Sequence, residues 1–265
     1  MDKINLSKES MVSFFTTEES ELFDIYIFDC VTSTNDVLKE MALNGAKEGS
    51  VVISREQTAG KGRKGRSFYS PADTGLYMSI LLRPDFTPQQ TALLTPMTAV
   101  AVVEALESLT GKKIDIKWIN DLQLNGKKIC GILTEASIVS DGLRMEYVIV
   151  GIGVNLSDPQ TGFPLELADV AGSLEIESSD LINQVSSHIL KNFMKYYLHF
   201  EVADFFETYK SHLFFLGKSI DVISGNAKES AVALDINDAF HLIVQMENGT
   251  LRELDSGEIS IKPLD

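Results

Sequence analysis

The densest chemistry in the chain lies in ten residues, Gln57-Thr58-Ala59-Gly60-Lys61-Gly62-Arg63-Lys64-Gly65-Arg66. Gly60, Gly62 and Gly65 let backbone N–H groups come close to a ligand, and Lys61, Arg63, Lys64 and Arg66 are interleaved with them. Such a loop cradles an anion. The glycines also satisfy G-x-G-x-x-G, but that dinucleotide fingerprint opens directly into a helix. Here Ser67 to Asp73 has no helical period and contains Pro71. A P-loop fails as well: Gly217-Lys218-Ser219 matches its end, yet its first glycine would fall on His212. Taken alone, the loop suits a bound ligand and a solvated or nucleic-acid-binding turn equally.

Other polar groups sit at the ends of apolar runs. Ser33-Thr34-Asn35 lies at a strand-to-helix junction, where it either caps the helix or forms a compact polar socket. Lys117 precedes Trp118 and the pair Asn120-Asp121, so it is either a solvent-facing lysine or a phosphate or carboxylate clamp. Gly131, Gly151 and Gly153 interrupt strands, which marks places of close approach. Asn155 ends the last of those strands as a polar contact.

These groups need a scaffold, and the chain of 265 residues with 44% apolar content can build a real core. A formal charge of −15 argues against nucleic-acid or anionic-membrane binding by the whole surface and leaves room for a local phosphate site. Cys30 and Cys130, both in apolar segments, read as buried reduced thiols. His188, His199, His212 and His241 all lie outside the motif region and read as structural, with no metal site. No apolar run approaches the ~20 residues of a membrane helix and no signal peptide is visible. The expectation is a cytoplasmic protein without membrane contact.

In chain order, Asp24 to Val31 reads as a strand running into a helix that Gly45 stops. Gly75 to Arg83 is a strongly apolar strand, and Pro88 to Leu109 a long buried helix broken at Pro96. Ile114 to Ile119 alternates as a half-buried strand. Asn125-Gly126 and Asp141-Gly142 turn an antiparallel meander that ends at Asn155. Two helices follow over residues 178–210, and then turns about ten residues apart at Gly225-Asn226, Asn237-Asp238, Asn248-Gly249 and Ser256-Gly257. The fold class is α+β, with a mixed or antiparallel sheet and helices in residues 1–214 and a small barrel-like β domain in residues 215–265.

Ser33-Thr34-Asn35, the loop Gln57 to Arg66, Lys117-Trp118-Ile119-Asn120-Asp121, Gly131-Ile132-Leu133-Thr134-Glu135 and Gly151-Ile152-Gly153-Val154-Asn155 stand in one order over nearly the whole chain. In that order the sequence resembles the biotin protein ligase family. The resemblance implies an α+β catalytic domain followed by an SH3-like domain. It also implies a two-step reaction. Biotin and ATP with Mg²⁺ form biotinyl-5′-adenylate, and biotin then passes to a lysine of a biotin carboxyl carrier protein or domain. By that likeness Ser33, Thr34, Asn35, Gln57, Lys61, Gly62, Arg63, Lys117 and Gly131 bind biotin. Gly60, Arg63, Arg66, Phe68, Lys117, Asn120 and Asn155 bind ATP and the adenylate, and Lys117 and Arg63 are catalytic.

Three positions depart from the family pattern: Ile119 stands where proline is common, Lys61 for an arginine, and Phe68 for a frequent tryptophan. The short polar segment before the first strand leads to the expectation of a ligase that does not bind DNA. An exposed edge strand could pair two chains into a homodimer. The alternatives are a lipoate or octanoate ligase or transferase of the same superfamily, a non-catalytic biotin- or nucleotide-binding regulator, and a nucleic-acid-binding protein.

Overall fold

The computed structural model describes residues 5–139, 144–176, 178, 180–224 and 227–261. The turns expected at Asp141-Gly142 and Gly225-Asn226 lie outside those residues. Two short helices lead in, α1 (Lys8–Val12) and α2 (Thr17–Glu21), each opened by a hydroxyl cap: Ser7 accepts from the Ser10 N–H, and Thr16 from the Glu19 N–H.

A seven-stranded sheet carries the first part of the chain. β1 (Asp24–Phe28) and β2 (Ser50–Ser54) run parallel, joined by the crossover helix α3 (Thr34–Leu43). β3 (Gly75–Leu82), β4 (Asp115–Lys117), β5 (Asp121–Leu124), β6 (Lys127–Ile138) and β7 (Met145–Asn155) complete it with antiparallel pairings, in the order β1-β2-β3-β7-β6-β5-β4. This is the mixed α+β sheet expected from sequence.

Helices cover both faces. Val51, Ile53, Met78, Ile80, Val150 and Ile152 join the main core with α4 (Pro88–Ala92), α5 (Leu94–Thr110), α6 (Leu181–Leu198) and α7 (Val202–Ser211). Val52, Leu81, Tyr147 and Ile149 point the other way and pack with Leu38 and Ala42 of α3. Two-sided burial explains why β3 is buried along its whole length and largely apolar instead of alternating.

Pro88 to Thr110 is long and apolar enough on average to cross a membrane, but it is interrupted by polar residues, forms the central core helix pair, and most of it is buried. Its break falls at Leu93, before Pro96, because a proline in the first turn of α5 gives up an N–H that has no helical partner anyway. Cys130 is fully buried as expected, whereas Cys30 is exposed. β1 ends at Phe28, so Cys30 sits in the following turn and not in the sheet.

The last part of the chain is a five-stranded antiparallel sheet: β8 (Ser219–Ser224), β9 (Ala227–Ile236), β10 (Leu242–Met246), β11 (Leu251–Leu254) and β12 (Glu258–Ile261) in the order β11-β10-β9-β8-β12. Phe240, in the β9–β10 turn, is wholly buried and packs on Phe205, Phe206 and Tyr209 of α7, with ring centroids 5.5, 5.4 and 5.0 Å away. One core is thus continuous from the first sheet into the second.

Candidate active site

Strand register builds the floor of the site. Residues paired across neighbouring strands share a face, so Lys117, Asp121, Gly131, Gly153 and Tyr77 form one row across β4, β5, β6, β7 and β3. The next row on that face is Leu133, Gly151 and Ser79. The glycines leave gaps that side chains from above fill. A Cβ on Gly153 would stand 2.6 Å from Phe68 Cε1, and one on Gly131 3.2 Å from Phe68 Cε2. A Cβ on Gly151 would stand 2.3 Å from Asn35 Oδ1. The strand glycines therefore mark close approach, as their positions suggested.

Over the second row lies a polar socket. Ser79 Oγ donates to Asn35 Oδ1 (2.6 Å), and Asn35 Nδ2 donates to Glu135 Oε2 (2.7 Å). The Thr34 N–H donates to Gln57 Oε1 (2.9 Å), while Gln57 Nε2 donates to Ser70 Oγ (2.9 Å). These bonds fix both amides, so each presents a defined donor and acceptor edge. Ser33 occupies the N-cap position of α3, as expected, but its hydroxyl makes no capping bond although it is buried. Gln57 instead satisfies the helix's first N–H.

The glycine loop covers this floor. Arg63 begins a short 3₁₀ turn, Arg63–Gly65, in which Lys64 takes φ 55° and Gly65 φ 74°. Arg63 Nη1 donates to Asn120 Oδ1 (3.0 Å), and Asn120 Nδ2 donates to the Ile132 carbonyl (3.0 Å). Lys61 is hydrogen-bonded to the Asp36 carboxylate, which holds its ammonium above the ordinary lysine range. Gly60 faces inward against the chain itself: its carbonyl accepts from the Phe68 N–H (2.9 Å), and a Cβ there would lie 2.4 Å from the Phe68 carbonyl.

Two cavities result. The first, about 50 Å³, is lined by Ser33, Thr34, Asn35, Gln57, Lys61, Gly62, Arg63, Asn120 and Gly131 among others. The second, about 610 Å³, is lined by Arg66, Lys117, Asp121, Gln123, Asn155 and Ser260 among others. Phe68 and Lys128 line both. Every residue expected to hold biotin except Lys117 therefore borders the first cavity. Of those expected to hold the nucleotide, Arg66, Phe68, Lys117 and Asn155 border the second, Arg63 and Asn120 border only the first, and Gly60 borders neither.

Lys117 borders the second cavity and Arg63 the first, with β4 two strands from β6. Lys128 borders both cavities, its Nζ 2.7 Å from Asp121 Oδ1 and 5.8 Å from the centre of the Phe68 ring. Asn120, for its part, has its amide committed at both ends to Arg63 and Ile132, so it orients the arginine.

Sequence reasoning missed Lys128 and Glu135. Glu135 carries a visible signal, a carboxylate in an apolar strand in phase with Gly131 and Leu133. For Lys128 the period-2 rule points to the wrong face. Gln123 pairs with Lys128 while Leu122 pairs with Cys130, so Ile129 is an extra, bulged residue. The bulge turns Lys128 to the site face.

Chemically, the arrangement suits a small polar molecule whose anionic end reaches Arg63 and Lys128, beside a larger anionic molecule with a flat ring for Phe68. Fold and cavities together define a class, catalytic domains that join a small acid to a nucleotide across a mixed sheet. The Biotin/lipoate A/B protein ligase family model matches residues 27–155. The chain is 35% identical to the bifunctional ligase/repressor BirA of Bacillus subtilis over 258 residues, covering 96% of this chain and 78% of that protein. It is 37% identical to BirA of Bacillus spizizenii over 238 residues, covering 88% and 72%. The biotin protein ligase from Aquifex aeolicus in complex with biotin and ATP superposes with a TM-score of 0.73 at 28% identity, covering 90% of this chain and 98% of that one. The chain belongs to the biotin/lipoate A/B protein ligase family.

Proposed function

We propose that this chain is a biotin protein ligase. In the first step a biotin carboxylate oxygen attacks the α-phosphorus of Mg-ATP. The bond from that phosphorus to the bridging oxygen breaks, and pyrophosphate leaves with the electron pair. In the second step the neutral amine of a carrier-domain lysine attacks the acyl carbon, AMP departs, and the new amide loses a proton.

The single observation that carries this proposal is the wall common to both cavities, Phe68 and Lys128. Two substrates lying one in each cavity would meet only there. Arg63 and Lys128 supply positive charge where a carboxylate and a phosphate must approach, and preorganised charge at that point lowers the barrier without proton transfer. Arg66 and Lys117 face the rest of the polyphosphate. The socket of Thr34, Asn35, Gln57 and Ser79, with fixed donors and acceptors, suits the cyclic urea of biotin better than the aliphatic end of lipoate or octanoate.

The test is incubation with Mg-ATP, a carrier domain and either biotin or lipoate, read by mass spectrometry of the carrier. Modification with biotin and not with lipoate is expected. Modification with lipoate alone would overturn the proposal.

A further inference from the structure

The turn that carries Asn120 is held from outside its own sheet. Tyr209 Oη, on α7, donates to the Ile119 carbonyl (3.1 Å). Trp118 Nε1 donates to the carbonyl of Phe240 (2.7 Å), a residue of the second sheet's β9–β10 turn. Phe240 sits at φ 59° with its ring enclosed by α7, and Tyr209 is fully buried. Burial holds the Tyr209 phenol well above its ordinary range, with Arg63 pulling the other way and Asp121 adding to the rise. From this clamp the chain runs one residue to Asn120, whose backbone carbonyl accepts from the Ile132 N–H (3.0 Å) and whose side chain receives Arg63.

We infer that Tyr209 and Trp118, with the Phe240 carbonyl, are positioning residues: the second sheet and α7 set the 118–120 turn, and through Asn120 they set where Arg63 stands over the first cavity. The inference rests on the ligase activity proposed above for its kinetic consequence, and on the hydrogen-bond chain alone for its structural one. It gives the C-terminal domain a task in the first half-reaction that needs no contact between that domain and biotin.

Tyr209→Phe removes one hydroxyl and keeps the ring, and Trp118→Phe removes the indole donor; either serves if the other fails to fold. Hydrogen exchange read by mass spectrometry is expected to quicken in residues 118–121 and also in residues 60–68 of the loop, where Gly62 and Phe68 N–H groups are bonded. Quickening confined to α7 and the 118–121 turn would overturn the inference, and this readout needs no turnover. In pyrophosphate release, Tyr209→Phe should lower kcat/KM for biotin about fivefold, the loss of one hydrogen bond, with the ATP KM unchanged. In an Arg63→Ala background that effect should vanish, whereas additive effects would overturn the inference. Absence of biotin-dependent pyrophosphate release from the unaltered protein would instead count against the ligase proposal.

Discussion

Phe68 lies on Gly153 so closely that a single methyl group on the glycine would reach to 2.6 Å from the ring. Backbone packing on β7 therefore fixes where the aromatic surface of the loop comes to rest, between the two cavities. Gly153→Ala should lift the ring and cost nucleotide affinity about tenfold, with little change in biotin binding alone, since the socket lies one row away. Isothermal titration with each ligand separately checks this. Equal losses for both would show that the ring's seat is not specific to the nucleotide.

The two lysines of the first row and its bulge should separate cleanly. Lys128→Ala is expected to slow adenylate formation by roughly 100-fold or more, the usual cost of one preorganised donor at a developing charge. Lys117→Ala should act mainly through the ATP KM, because that side chain lines the second cavity only. Biotin-dependent pyrophosphate release over a range of ATP concentrations distinguishes them. The reverse pattern would place Lys117 where the cavities meet.

Why one lysine was legible and the other was not follows from strand geometry. Lys117 stands in an alternating strand, and its face could be read from Ile116 and Trp118. Lys128 is displaced by a bulge, which depends on pairing with β5 and leaves no mark in local sequence. The same contrast holds elsewhere. The glycine-rich loop, the Ser33-Thr34-Asn35 junction and the strand glycines announced themselves by composition. The partners that orient them, Ser79, Glu135 and Tyr209, lie 44, 100 and 90 residues from the groups they hold and could be found only in three dimensions. Cys30 was misread for a simpler reason, that the strand ended at Phe28, three residues before its apolar run ends at Val31.

Asp36→Asn should release Lys61 and with it one anchor of the loop. Both side chains are more than a third exposed, so the stability lost should be at most about 1 kcal/mol. The pair raises the Lys61 pKa, so its contribution is fully present below the ordinary lysine range and is lost only as pH rises through the raised value. The expected effect at neutral pH is functional: more adenylate escapes, measured as biotin transfer to a free amine such as hydroxylamine. Unchanged escape would show that Lys61 does not help to hold the loop.

The two thiols should differ in alkylation. Partial desolvation first, and then Glu56, raise the Cys30 pKa. Its reaction with iodoacetamide should be slow at neutral pH and quicken as pH climbs past the ordinary thiol range. Burial raises Cys130 much further, so it should react only on unfolding. Mass spectrometry in buffer and in denaturant counts one adduct, then two, if this holds.

β6 carries Gly131, Leu133 and Glu135 on one face, and successive same-face residues on a strand stand roughly 7 Å apart. The strand thereby works as a measuring rod, with the cationic mark at one end and the amide-fixing marks at the other. That spacing is set by the rise of the strand, so exchanging one side chain leaves it unchanged.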